Sequence, residues 1–341
     1  VEQVAGTDYE EFGGIVVSTV WEEKLLGDLI VFKNGKRIEN TDYDDNGLNP
    51  VYGSNGIIGR TNKRNVVGES IIVGRVGAYC GSLQYSNHSA WITDNAIYGV
   101  VKPGNDTRFL YYLMNTIPIR EFAGGSAQPL INQTILNNIS VNVPNLKIQR
   151  RIADILGSID DKIELNRRMN ETLEQMAMAL YKHWFVDFGP FQDEEFVESE
   201  IGNIPTCLGL TTIGKAVKVI GGGTPSTKVS EYWENGEINW FTPTDLTSSK
   251  TLFITKSTKR ITEKGLNESS AKLFPAYSVM MTSRATIGVI AINREPASTN
   301  QGFIVLIPNE KFPTFYLYLW LKNNLGSIHC KRQTAPTLSS R

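Results

Sequence analysis

Between Pro144 and Asp187 the apolar positions fall in steps of mostly three and four. They are Ile152, Leu156, Ile159, Ile163, Met169, Leu173, Met176, Leu180 and Trp184, with Gln149 at the same phase before them. That period keeps one helical face apolar for about eleven turns. Arg150, Arg151, Lys162, Arg167, Arg168 and Glu174 occupy the opposite face. The pattern predicts one uninterrupted helix over 144–187, opened by Pro144, which suits a first turn. At ~1.5 Å per residue it reaches roughly 60 Å, longer than one domain needs. Asn166 and Asn170 interrupt the stripe halfway, and amides on a seam set the register of a helix pair at a cost in stability. They argue against the competing reading, a core helix of one large domain. The expected contact face is Ile152, Leu156, Ile159, Ile163, Asn166, Asn170, Leu173, Leu180 and Trp184, and it seeks an antiparallel partner helix that no other stretch of the chain supplies.

On either side of this helix the pattern changes to short strands. Residues 66–75, 91–101 and 138–143 alternate or run apolar with β-branched side chains. Gly53–Ser–Asn–Gly56 and Gly221–Gly–Gly–Thr–Pro225 read as turns. The two flanks repeat one plan. Gly27 corresponds to Gly214, Ser70–Ile–Ile–Val–Gly–Arg75 to Ser278–Val–Met–Met–Thr–Ser–Arg284, and Thr93–Asp–Asn–Ala–Ile to Thr299–Asn–Gln–Gly–Phe. A short aromatic helix follows in each, from Arg108 and from Phe315, and then a Ser/Thr-rich turn at Gly125 and at Gln333. The offset grows from 187 (214 less 27) to 209 (284 less 75), so the second copy carries about 22 extra residues before its central motif. The reading is α+β: two similar recognition-type domains of curved sheets with short helices, joined by a long helix. Its divisions are an N-terminal segment 1–19, a first domain 20–143, the helix 144–187, an acidic linker 188–207 and a second domain 208–341.

Composition fits this plan. A chain of 341 residues with 41% hydrophobic content suits two cores and a connector. It has no apolar run long enough to span a membrane. The first residues are acidic and polar, not those of a secretory signal, and the absence of an initiator Met points to a trimmed or tagged start. Cys80, Cys207 and Cys330 lie far apart without ligand spacing and read as ordinary thiols of a reducing cytoplasm. The net charge of −1 is unevenly spread: residues 187–204 hold 6 acids and no Lys or Arg, whereas residues 205–341 hold 16 basic and 8 acidic groups, a net of +8. A domain so charged beside an acidic connector suits a polyanion-binding face.

Gly125–Ser–Ala–Gln–Pro–Leu–Ile–Asn–Gln, then Gln149–Arg–Arg–Ile–Ala–Asp–Ile–Leu–Gly–Ser–Ile–Asp–Asp–Lys–Ile–Glu–Leu–Asn–Arg and Trp184–Phe–Val–Asp–Phe, closely resemble the DNA-specificity subunits of type I restriction-modification enzymes. The flanking copies resemble that family's target recognition domains, with Pro50–Val–Tyr–Gly–Ser–Asn–Gly in the first and Gly221–Gly–Gly–Thr–Pro–Ser in the second. The resemblance implies that each domain reads half of a split site in double-stranded DNA, and that the helix spaces the halves and docks two modification (methyltransferase) subunits. Restriction (translocase and nuclease) subunits would join them. S-adenosylmethionine, ATP and Mg would be held by those partners. The family carries a second long helix after the second domain; either the chain is truncated, or another chain supplies that helix.

No methyltransferase cofactor loop, Asn/Asp-Pro-Pro-aromatic motif or Walker loop is written in the chain. The three histidines are isolated, and Asp245 in Thr–Pro–Thr–Asp–Leu reads as a turn cap. The chain itself is therefore read as noncatalytic. DNA contact calls for Lys and Arg on phosphates and for Arg, Asn, Gln, Ser and Thr on base edges. The candidates are Lys33, Asn34, Lys36, Ser54, Asn55, Arg75 and Tyr79 in the first domain. In the second they are Thr224, Ser226, Lys228, Trp240, Thr242, Lys250 and Arg284. Blander roles compete, with Ser54–Asn55 as a plain hairpin turn, Trp240 as core, and Arg75 and Arg284 as buried ion-pair partners. Two rival functions remain open at this level: the reading end of a bifunctional restriction-modification enzyme, and a coiled-coil scaffold without DNA.

Overall fold

The computed structural model describes residues 9–12, 15–18, 21–124, 129–200, 202–249, 251–284 and 286–334, with side chains from 21 to 326. The chain divides into two units, 1–167 and 168–341. The first opens with the hairpin β1 (Tyr9–Phe12) and β2 (Ile15–Ser18). It continues through β3 (Glu22–Leu25), α1 (Leu26–Leu29), β4 (Ile30–Asn34), β5 (Asn49–Gly53), β6 (Gly56–Thr61), β7 (Ser70–Gly74) and β8 (Leu83–Ser86). Then come β9 (Trp91–Ile92), β10 (Ala96–Val101), α2 (Thr107–Asn115), α3 (Gln133–Asn137) and β11 (Ser140–Val143). One sheet runs β4-β10-β7-β8, a second β6-β5-β9, and β11 pairs with β3.

The central strand β7 is apolar without alternation because it is covered on both faces. Ile71 and Val73 join Leu26, Ile30, Leu110 and Met114, while Ile72 joins Tyr52, Ile92 and Ala96. Residues 91–101, expected as one strand, form two. The break falls at Thr93–Asp94–Asn95, where Ala96 N–H donates to the Thr93 carbonyl at 3.0 Å; Asp and Asn side chains favour turns over ladders.

The long helix is real. Helix α4 (Leu146–Phe185) runs for 40 residues, roughly 60 Å. Asn145 caps it, its Oδ1 accepting from Ile148 N–H at 3.1 Å, and Phe188 beyond its end adopts a left-handed φ of 51°. Its first turns pack on α2. Gln149 is buried and accepts from Asp106 N–H at 3.0 Å, while its amide donates to the Pro144 carbonyl at 2.9 Å.

Past α4, the second unit holds the hairpin β12 (Phe196–Ser199) and β13 (Gly202–Pro205), so strands lie within the acidic connector. Next come α5 (Ile213–Ala216), β14 (Lys218–Gly221), β15 (Ile238–Phe241), α6 (Pro243–Ser249), β16 (Phe253–Ile254), β17 (Lys259–Ile261) and α7 (Glu263–Asn267). The unit ends with β18 (Val279–Thr282), β19 (Ile290–Asn293), β20 (Ala297–Thr299), β21 (Phe303–Ile307) and α8 (Thr314–Thr334). Its sheets run β14-β21-β18-β19-β16 and β17-β15-β20. The two main sheets repeat those of the first unit: β18 stands where β7 stands, and the parallel pair β15–β20 matches β5–β9. The extra length of the second copy is spent on α6, β16 and α7.

Helix α8 differs from the short aromatic helix expected at Phe315. It continues for 21 residues to Thr334, because Leu317, Tyr318 and Leu321 anchor it on β18 and no proline interrupts it. Within this unit Tyr181 and Phe185 of α4 stack against Tyr316 of α8, with ring centroids 5.7 and 5.1 Å apart. Glu174 accepts from Lys322 and Tyr318. Burial pushes the Glu174 carboxyl up, but those two donors outweigh it and hold it below the ordinary range.

Candidate nucleic-acid interface

In the first unit the turn at Thr93–Asn95 and the end of β9 before it fasten the backbone of several segments that carry candidates. Arg75 N–H donates to the Asn95 carbonyl at 2.9 Å, Lys36 N–H to the Ile92 carbonyl at 2.9 Å, and Thr93 N–H to the Tyr52 carbonyl at 2.9 Å. The β5–β6 hairpin is fastened to the same place by Ser82 Oγ, which donates to the Ser54 carbonyl at 2.7 Å. Gly74 makes this approach possible, since a Cβ there would lie 2.2 Å from the Tyr79 carbonyl oxygen. Lys33, Asn34, Lys36, Asn55 and Tyr79 are exposed, while Ser54 and Arg75 are half-buried. Ser54 and Asn55 do form the two-residue hairpin turn, and that turn displays Asn55 at its tip. The Arg75 guanidinium meets the Asp94 carbonyl only at 3.5 Å, and its Nε is buried without a hydrogen-bond partner. No carboxylate pairs with it among the described ion pairs, so the buried ion-pair reading of Arg75 is not what the structure has.

The second unit uses the matching turn, Thr299–Asn300–Gln301. Gly223 N–H donates to the Thr299 carbonyl at 2.9 Å, Ser283 N–H to the Gly302 carbonyl at 2.7 Å, and Thr224 Oγ1 to Gln301 Oε1 at 2.6 Å. Thr224, Ser226, Lys228 and Arg284 are exposed, with Thr224 bonded to this turn and Arg284 next to Ser283, which is bonded to Gly302. Lys250 lies outside the described residues, as does most of the turn at Gly125. Trp240 is a correction. It is 5% exposed, its ring stacks edge-on against Trp233 at 5.0 Å, and its Nε1–H donates to the Gly223 carbonyl at 2.9 Å. With its only donor used and its faces covered, the indole has nothing left to offer a base.

Thr242 is also spent internally. Its N–H and Oγ1 both donate to Asp245 Oδ2, at 2.7 and 2.6 Å, and Thr258 N–H and Oγ1 donate to Oδ1 at 2.9 and 2.5 Å. Asp245 thus caps α6, as the sequence suggested, and ties it to Thr258, the residue before β17. Burial raises its carboxyl, but the four donors prevail and keep it below the usual carboxylate range.

The apolar stripe of α4 lies open. Ile163, Leu173 and Leu180 are 61%, 58% and 58% exposed, and Leu156, Ile159, Asn166, Asn170 and Trp184 are exposed as well. Ile152 is the correction here: it is half-buried and packs on the first unit's core, so it is not free for a partner.

Some features were invisible in the sequence. Arg108 on α2 grips α4 with a forked pair of bonds to Asp161, at 2.7 and 3.2 Å, and with a bond to the Gly157 carbonyl at 3.0 Å. A side chain at Gly157 would stand 2.6 Å from that guanidinium. Beside it Tyr112 donates to Asp160 at 2.6 Å, and burial first, then this bond, pushes the phenol up to about 12. Ile57, Ile58 and Arg64 on and after β6 are exposed. Apolar residues in a strand carry no sequence mark of exposure. Among the described residues no group of His, Cys, Asp and Glu is placed to hold a metal, and no helix is long and apolar enough to cross a membrane.

Residues 19–175 and 211–340 match the type I restriction modification DNA specificity domain. The MjaIX specificity subunit of Methanocaldococcus jannaschii is 41% identical over 139 residues, covering 41% of this chain and 32% of that protein. The HindI specificity subunit of Haemophilus influenzae is 27% identical over 251 residues, covering 57% of this chain and 54% of its own length. The matches thus span between a third and about half of these curated relatives. In fold, the chain is similar to the crystal structure of a type I restriction-modification S subunit from M. genitalium. That TM-score is 0.62 at 18% identity, with 94% of this chain and 82% of the other covered. Matched on both sides of the acidic connector, the chain belongs to the family of type I restriction-modification DNA specificity domains.

Proposed function

We propose that this chain is the DNA-reading, noncatalytic specificity component of a type I restriction-modification assembly. Each unit reads one half of a bipartite site in double-stranded DNA, and α4 sets the number of unread base pairs between them. The carrying observation is the duplication: two copies of one topology, each gathering exposed Lys, Arg, Asn, Ser or Thr around the same turn. The net of +8 over residues 205–341 supports a polyanion partner for the second copy. The open apolar stripe of α4 supports docking of helices from other subunits. Two modification subunits would dock there and supply S-adenosylmethionine, and restriction subunits would supply ATP and Mg chemistry.

The test is genome-wide mapping of methylated positions in cells carrying the intact system, joined to filter binding across a salt series. The expected result is a motif of two fixed half-sites with a constant gap, and an affinity that falls steeply and linearly in log salt. Salt-independent or absent binding would favour a scaffold without DNA.

A further inference from the structure

Resting on the DNA-reading function above, we infer that the β5–β6 hairpin is the base-reading finger of the first unit. Ile57 and Ile58 would sense the 5-methyl groups of thymine in the major groove. Three observations converge on this hairpin. First, it closes in a two-residue turn with Asn55 exposed at the tip, and a two-stranded ribbon is narrow enough to enter the major groove. Second, Ile57 and Ile58 are consecutive strand residues, yet they are 59% and 52% exposed. The alternation of a strand would hide one of them. Here the register shifts between Val51 and Tyr52, so that Tyr52 faces Ile57, Val51 faces Gly59, and Ile58 is the extra residue. Bulges of this kind re-aim side chains, and this one delivers a second isoleucine to solvent.

The third observation is the setting. The hairpin is fixed, not loose, through the Ser82–Ser54 bond and the packing of the Tyr43 ring against Gly59, where a Cβ would stand 2.7 Å from the ring. Exposed Lys36 and Arg64 sit on segments joined to β9, the strand that pairs with β5, and Arg75, whose Nε has no hydrogen-bond partner, follows Gly74 where it stands against Ser54. An apolar hairpin edge with cations on the neighbouring segments suits a groove whose walls are phosphates and whose floor carries methyl groups. Asn55 would pair with adenine through its amide. The second unit has α6 after β15, where the first has this hairpin after β5, so methyl sensing belongs to the first half-site alone.

The experiment uses the full chain and duplexes of its mapped site in which each thymine is replaced, one at a time, by uracil, which lacks only the methyl. The expected result is a roughly three- to fivefold loss of affinity at one or two thymines of the first half-site, the worth of one buried methyl, and none in the second. In Ile57→Ser or Ile58→Ser the thymine and uracil duplexes should bind equally at that position. Recognition of the second half-site within the same chain serves as the folding control. Insensitivity to uracil throughout the first half-site, or sensitivity that survives both substitutions, overturns the finger while leaving DNA reading intact. Failure of the unsubstituted chain to bind any duplex overturns DNA reading itself, and the finger with it.

Discussion

Replacing Asp245 by Ala should destabilise the second unit selectively. The side chain is 8% exposed and accepts four hydrogen bonds, two from backbone N–H groups and two from threonine hydroxyls. The hydroxyls can turn to other partners, but the two N–H groups cannot. Stranding these part-buried donors, one of which is the cap contact of α6, costs about 1–2 kcal/mol each. The loss is therefore about 2–4 kcal/mol, a large part of a domain's ordinary stability of roughly 5–15 kcal/mol. For a unit of this size that corresponds to a fall of roughly 6–12 °C in one thermal transition. Scanning calorimetry of the whole chain should show that transition shifting while the transition of the first unit stays in place. The effect has a definite pH sense. Because the folded carboxyl is held below its ordinary range, its contribution is complete above the unfolded pKa and fades as the pH falls through the lowered folded value. The gap between wild type and variant should therefore narrow below about pH 4. A shift under about 3 °C, equal shifts in both transitions, or a gap that widens in acid would refute the reasoning.

Three further outcomes are expected. Arg108→Ala should lower the urea midpoint of the first unit by the equivalent of about 1–2 kcal/mol, a modest figure because Asp161 is largely exposed. Arg108→Lys should not restore it, since an ammonium cannot reproduce the fork; full rescue by Lys would contradict the geometry. Arg284→Ala should relax the second half-site by about 1–3 kcal/mol and spare the first, as read by binding to duplexes altered in one half at a time. Equal losses in both halves would argue against independent reading. The double substitution Ile163→Asp with Leu173→Asp should abolish co-elution with modification subunits in size-exclusion chromatography while leaving both thermal transitions unchanged, because both side chains already face solvent. A lowered melting temperature would mean that the stripe is covered within the chain.

The sequence by itself determined the long helix, the duplication and the short-strand grammar of the flanks, because these are local. A period near 3.6 needs no distant partner to be read, and Gly-rich and Asn/Asp-containing turns act within a few residues. It also placed Asp245 as a cap, whose partner Thr242 lies three residues away. What only the tertiary structure decided was facing and distance. Trp240 has the composition of a reading residue and the position of a core one; the difference lies in Trp233 and Gly223, brought together by folding. The Arg108–Asp161 grip joins residues 53 apart, beyond any local pattern. Ile57 and Ile58 look like buried strand until the shifted register exposes them. Local periodicity specifies which elements form, whereas the partners each side chain meets depend on contacts between distant segments, and those exist only once the chain has packed.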